Sequence, residues 1–240
     1  MKTWQESSDL TTNTSKKNFS CKHCKKEFRR ESTLMAHLCE PKRRAMQEKE
    51  TGVQFGLRAW LRFYEMTQGS AKLKTYADFT ANSFYLAFVK FGRHIVEIRA
   101  VNPAAFIDFV IKENKKIDRW CDEAIYLEFL RQYMRKEQAS DTLERGLYEM
   151  QGWADENNTD LTQYFRTANS NRICYHISNG RISPWIVYNC DSGVAFLETL
   201  SEEQINIILP WIDPDVWQRK FKDYVSDAEW MKQVLKDSGL

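Results

Sequence analysis

Three thiols, Cys21, Cys24 and Cys39, crowd into nineteen residues near the start of the chain beside the imidazole of His37. Thiolate and imidazole are the donors that zinc prefers, and two intervening residues put Cys21 and Cys24 on one knuckle within reach of a single tetrahedral ion. Four protein ligands close such an ion to water, so the expected role of one Zn²⁺ per chain is structural. His37 follows Leu34 by three residues and shares its side of a helix. Cys39 is the difficulty, because on a continuous helix residues two apart point about 200° from each other. Pro41 supplies the remedy: it disfavours helix at Glu40 and predicts that the last turn unwinds around Leu38. His23 is the alternative fourth donor. Cys121, Cys174 and Cys190 complete the six cysteines. In a chain whose polar start is no secretory signal, they read as free thiols.

These ligands need elements to hold them, and the surrounding pattern supplies them. The run from Phe19 to Cys39, with Phe19, Cys21, Cys24, Phe28, Leu34 and His37 at matching spacing, resembles a C2H2-type zinc finger. The resemblance implies a β-hairpin followed by a short helix, with Phe28 and Leu34 as a miniature core. That family places its fourth ligand after three to five intervening residues, where this chain has Pro41, Lys42 and Arg43, so Cys39 is the expected fourth ligand and His23 its substitute. In the DNA-reading members, the positions aimed at bases correspond here to Arg30, Thr33 and Ala36. Arg30 can pair with guanine, but Ala36 has no hydrogen bond to offer, and one finger reads only about 3 base pairs. Backbone-directed binding through Lys22, Lys25, Lys26, Arg29, Lys42, Arg43 and Arg44, joined by Arg30 and Thr33, is therefore the expectation. A zinc-stapled arm that docks on a protein is the competing one.

Charge points the same way. The net charge of +2 hides a gradient: residues 1–50 hold 12 Lys and Arg against 7 Asp and Glu, while residues 151–240 hold 8 against 13. Neutralising phosphates releases condensed counterions, so a polyanion is drawn to the N-terminal end. The acidic end suits a basic protein partner or plain solvation.

The remainder is punctuated as helix. Leu57, Trp60, Leu61 and Tyr64 make one apolar stripe. Asn102-Pro103, Ser183-Pro184 and Asp213-Pro214 each place a capping side chain before a proline suited to a helix's first position. Capping boxes are expected at Asp141–Glu144, Ser201–Gln204 and Ser226–Glu229. Around Asn179-Gly180 the expectation is a helix stop and a new start, not a hairpin. At helical spacing Phe84, Phe88, Phe91, Trp211 and Trp217 read as core. The expected fold is mainly α: a small ββα zinc-finger module, then an all-α domain. Residues 1–18 read as a disordered tail, 19–40 as the finger, 41–52 as a basic linker and 53–240 as the helical domain, with a lobe boundary near 155–160. No apolar run approaches the ~20 residues of a membrane span, so a soluble, intracellular protein is expected.

No phosphate-cradling glycine loop, nucleophile elbow or H-E-x-x-H is present, and no compact acidic cluster suggests a nuclease. The expectation is a protein that is not an enzyme. Cys174, His176 and Cys190 are a conceivable second metal group. The finger, the basic Lys42-Arg43-Arg44 and the aromatic helical body together resemble proteins of T4-like tailed phages, particularly those of cyanobacteria. Residues 161–235 are weakly similar to the T4-type phage helicase-loading family, through Ile173–Ser183, Val216-Trp217 and Lys220–Tyr224. That similarity implies an all-helical, non-enzymatic protein bridging single-stranded or forked DNA and replication proteins in the host cytoplasm. A replication accessory or transcription factor, binding single-stranded, forked or duplex DNA without sequence preference and engaging a protein partner through its helices, is the leading functional expectation. A virion assembly protein is the alternative.

Overall fold

A computed structural model describes residues 18–69 and 73–240. The expected tail falls, for residues 1–17, outside the described residues. The fold is mainly α, as the patterning predicts: one two-stranded sheet and then helices throughout. Two compact units result, the first ending at Arg93 and the second beginning at His94.

The first unit opens with β1 (Phe19–Ser20) and β2 (Glu27–Phe28), antiparallel with Phe19 opposite Phe28, followed by α1 (Glu31–Ala36). The stretch expected as a basic linker contains a helix, α2 (Glu40–Met46), and runs directly into α3 (Thr51–Gln68). Then come α4 (Tyr76–Ala81) and α5 (Tyr85–Glu97), the latter contributing residues to both units. A capping box at Thr75 and Asp78 starts α4, with both reciprocal bonds formed.

The apolar stripe expected on α3 is only part of its buried face: Trp60 is buried, Leu57 and Tyr64 are half-covered and Leu61 is exposed, while Gly52, Val53, Gly56 and Ala59 complete the buried side. The reason is a close helix crossing. A Cβ on Gly92 of α5 would lie 2.0 Å from the Gly52 carbonyl oxygen and 2.3 Å from the Gly56 nitrogen. Small residues carry little hydropathy, so a periodicity of large side chains misplaces this face. Around the crossing Trp60, Phe79, Tyr85 and Phe88 form an aromatic core, with the Phe79 and Tyr85 rings 4.8 Å apart.

In the second unit α6 (Pro103–Lys112) packs on α7 (Glu123–Met134) through Phe106, Tyr126 and Phe129. The long α8 (Ala139–Asn157) and α15 (Val225–Asp237) flank α11 (Pro184–Asn189). Between them run α9 (Tyr164–Thr167), α10 (Ser170–Ser178), α12 (Asp191–Glu198), α13 (Glu202–Ile212) and α14 (Pro214–Asp223). The Asn102, Ser183 and Asp213 caps form as expected, and so does the Ser201–Gln204 box. Asn179 ends α10 and Gly180 takes the left-handed conformation, with φ of 69°. Asp141 and Ser226 instead sit inside first turns, because α8 starts at Ala139 and α15 at Val225. Phe88, Phe91, Trp211 and Trp217 are core, while Phe84 lies 57% exposed.

One buried ion pair ties the second unit together. The Glu137 side chain is fully enclosed and accepts two bonds from Arg145, whose Nε also donates to the Gly180 carbonyl at 2.7 Å. Burial pushes the Glu137 carboxyl above its ordinary range, against the pull of the Arg145 charge. Removing one partner of such a pair strands the other in low dielectric. Arg145→Met is therefore expected to cost about 3 kcal/mol of stability, read from urea unfolding by circular dichroism. A loss below about 1 kcal/mol would place this pair with exposed ones.

Candidate metal centre

The ligand atoms of Cys21, Cys24, His37 and Cys39 all lie within 4.8 Å of one another. Cys21 and Cys39 bring their Sγ atoms to 3.9 Å, and the Cys24 Sγ stands 3.2 Å from the His37 Nε2. A tetrahedron with zinc–ligand bonds of 2.0–2.3 Å has edges of about 3.3–3.8 Å, so these separations fit one ion. Among the described residues no other group of His, Cys, Asp or Glu converges in this way. His23, the alternative donor, lies outside the cluster, and so do Cys174, His176 and Cys190.

Local backbone explains each ligand. The hairpin closes through Cys21 N–H to the Lys26 carbonyl and Lys25 N–H to the Cys21 carbonyl. Lys25 takes a left-handed φ of 61°, which turns the knuckle sharply enough for both thiols to face inward. Backbone N–H groups of the turn, Cys24 first and His23 after it, bring the Cys21 thiol down to about 7, so a thiolate is accessible at neutral pH. Desolvation pushes Cys39 the other way. The α1 helix stops at Ala36, and both His37 (φ −70°, ψ 120°) and Cys39 (φ −86°, ψ 162°) are extended. On extended backbone residues two apart share a face, which resolves the helical conflict between these two ligands. The unwinding begins at His37, one residue earlier than the expected turn at Leu38. Pro41 enters the first turn of α2, with Cys39 as the residue before that helix.

The module holds little else. Within residues 18–50 only Cys21 is buried, and Phe28 and Leu34 are half-covered. The Phe28 ring packs on the His37 imidazole, centroids 4.7 Å apart. A fold this thin has little apolar core of its own, so an ion held by the four donors would supply much of its stability.

The basic residues separate into two groups. Lys22, Lys25, Lys26, Arg29, Arg30 and Thr33 are exposed around the knuckle and the start of α1. Among the described residues none of those five cations pairs with a carboxylate; Lys25 donates to the Lys22 carbonyl and Lys26 lies over the Phe28 ring. The α2 cations are engaged. Lys42 donates to the His37 carbonyl, Arg43 pairs with Glu40, and Arg44 binds both Glu40 and the Thr80 carbonyl with its guanidinium 4.3 Å from the Tyr85 ring centre. Arg44 also receives the Tyr76 hydroxyl on its own carbonyl at 2.6 Å. Sequence spacing holds no sign of this docking, since its partners lie more than thirty residues away.

Geometry and donor chemistry define a mainly α-helical protein with an N-terminal four-ligand module, compatible with a zinc finger and able to hold one zinc ion. No protein-family model, curated protein or solved structure matches the chain. Among the described residues no helix is long and apolar enough to cross a membrane.

Proposed function

We propose that the zinc-held module grips the phosphate backbone of nucleic acid without reading its sequence, and that the helical body engages a protein partner. The observation that carries this is the set of five exposed, uncompensated cations, Lys22, Lys25, Lys26, Arg29 and Arg30, fixed around one rigid knuckle. Unpaired surface cations keep their counterion-release free energy for a phosphate ligand. The non-enzymatic role fits a module whose metal has no open position. A phage replication accessory, with helicase loading as its sharpest form, is the setting the sequence resemblances favour.

The test is a gel-shift titration of the zinc-loaded chain on single-stranded, duplex and forked DNA across salt. Five phosphate contacts predict an affinity falling by about two to three orders of magnitude between about 50 and 200 mM salt on duplex. Replacing Lys22, Arg29 and Arg30 together by alanine is expected to weaken binding at low salt and to flatten the slope by about three. Absence of a shift, or binding indifferent to salt, overturns the reading.

A second reading has its own observation. Met35, Leu38 and Met46 are 75%, 57% and 71% exposed on the module and α2, an apolar surface suited to a protein, as in an assembly role. A chain that ignores DNA but loses self- or partner-assembly on Met35→Lys would favour it.

A further inference from the structure

The second unit contains a cleft of about 760 Å³, within the range of small-ligand sites. Its lining presents donors with bonding capacity left over. Arg181 is half-buried, gives one bond to the Ile98 carbonyl at 2.9 Å, and has no carboxylate within ion-pair distance among the described residues. Tyr126 is 5% exposed, and its hydroxyl accepts the Val101 N–H at 3.0 Å. The proton of that hydroxyl has no acceptor among the described residues. Arg99 joins them with a single contact, 3.3 Å to Glu149.

Glu149 is the one enclosed carboxylate here, shared between Arg99 and the field of Arg181, with the His176 Nε2 3.8 Å away. His176 is held by the Tyr164 hydroxyl at 2.7 Å, and burial pushes its imidazole below the ordinary range. Arg181 and Glu149 are the enclosed charges of the cleft; Arg99, 59% exposed, and the lining carboxylates Glu97 and Glu123 lie at the rim, where water screens them. Beyond the donors the wall turns flat and apolar: Tyr175 stands 63% exposed, and Trp211 lies beneath the Arg131 guanidinium.

We propose that this cleft binds a phosphate monoester carried on an aromatic or heterocyclic body, of the nucleoside monophosphate type. The phosphate oxygens accept from Arg181, Arg99 and the Tyr126 hydroxyl, and the ring lies against Tyr175 and the Arg131 guanidinium that covers Trp211. Guanidinium groups match phosphate geometry in pairs of bonds. This site is separate from the N-terminal module and does not depend on its nucleic-acid reading.

Calorimetric titration of the full zinc-loaded chain with AMP, adenosine and inorganic phosphate tests it. AMP is expected to bind more tightly than either fragment. At ten times its Kd it should raise Tm by about 3 °C. Arg181→Gln is expected to weaken AMP at least about tenfold and the exposed Arg99→Gln by less, since charged hydrogen bonds carry about 1.5–3 kcal/mol each. Arg219→Gln leaves binding unchanged, and so does the chain with Lys22, Arg29 and Arg30 replaced, which separates this site from the module. No heat with AMP at millimolar concentration, adenosine binding as well as AMP, or undiminished binding in both Arg181→Gln and Arg99→Gln overturns the assignment.

Discussion

Cys39→Ser is expected to release the zinc ion at a chelator concentration that leaves the parent chain loaded. Structural zinc contributes about 10–16 kcal/mol of apparent binding free energy in isolated finger peptides, and that energy is also their folding energy. The same dependence is expected here, because Cys21 is the only buried residue among residues 18–50. Serine keeps the size but not the thiolate, leaving three donors and a site open to water. Release of zinc to a chromogenic chelator reads the loss, and hydrogen exchange reads the unfolding that goes with it at residues 19–39. Circular dichroism should barely change, since α1 has only six residues. His23→Ala should leave loading untouched. Equal retention in Cys39→Ser and the parent, with loss in His23→Ala, would identify the other donor as the fourth ligand.

Gly92→Ala is expected to be the most disruptive single methyl group in the first unit. The new carbon would sit 2.0 Å from the Gly52 oxygen and 2.3 Å from the Gly56 nitrogen, and both obstacles are backbone. No rotamer relieves that contact, so α3 and α5 must separate and expose the core around Trp60 and Phe88. A cost above about 4 kcal/mol is expected, the range reserved for overpacking that cannot relax. Gly152→Ala is the matched control. It lies in α8 with nothing within 4 Å of the added carbon, so it should stabilise by about 0.5–1 kcal/mol through the unfolded chain. Urea midpoints of the two variants check both signs, and a neutral Gly92→Ala would mean the helices cross less closely.

How much of this was legible in the sequence depended on whether its cause was local. The metal ligands were legible because coordination fixes spacing, and Pro41 foretold a break before α2. The caps at Asn102, Ser183 and Asp213 were legible because a proline marked each. Asp141 and Ser226 misled, since capping residues are also tolerated within a first turn and packing set those helix starts. On α3 Trp60 was legible, but the Gly52–Gly56 side of its buried face was hidden because its determinant is the absence of side chains. Arg44 read as a phosphate ligand because its partners, Thr80, Tyr76 and Tyr85, lie on other elements. Arg99, Arg181 and Tyr126 carried no local signal, since they meet only when α7, α10 and the turns beside them assemble.

Cys39 belongs to the four-donor cluster and is also the residue from which α2 departs. An ion held there would be keyed to a shaft with no slack between them, and α2 is in turn seated on α4 through Arg44. A load drawn against the knuckle is carried into the helical framework of the first unit instead of being absorbed by a tether. Loosening that joint, by inserting glycines after Cys39, should leave zinc affinity intact while uncoupling the head from the body.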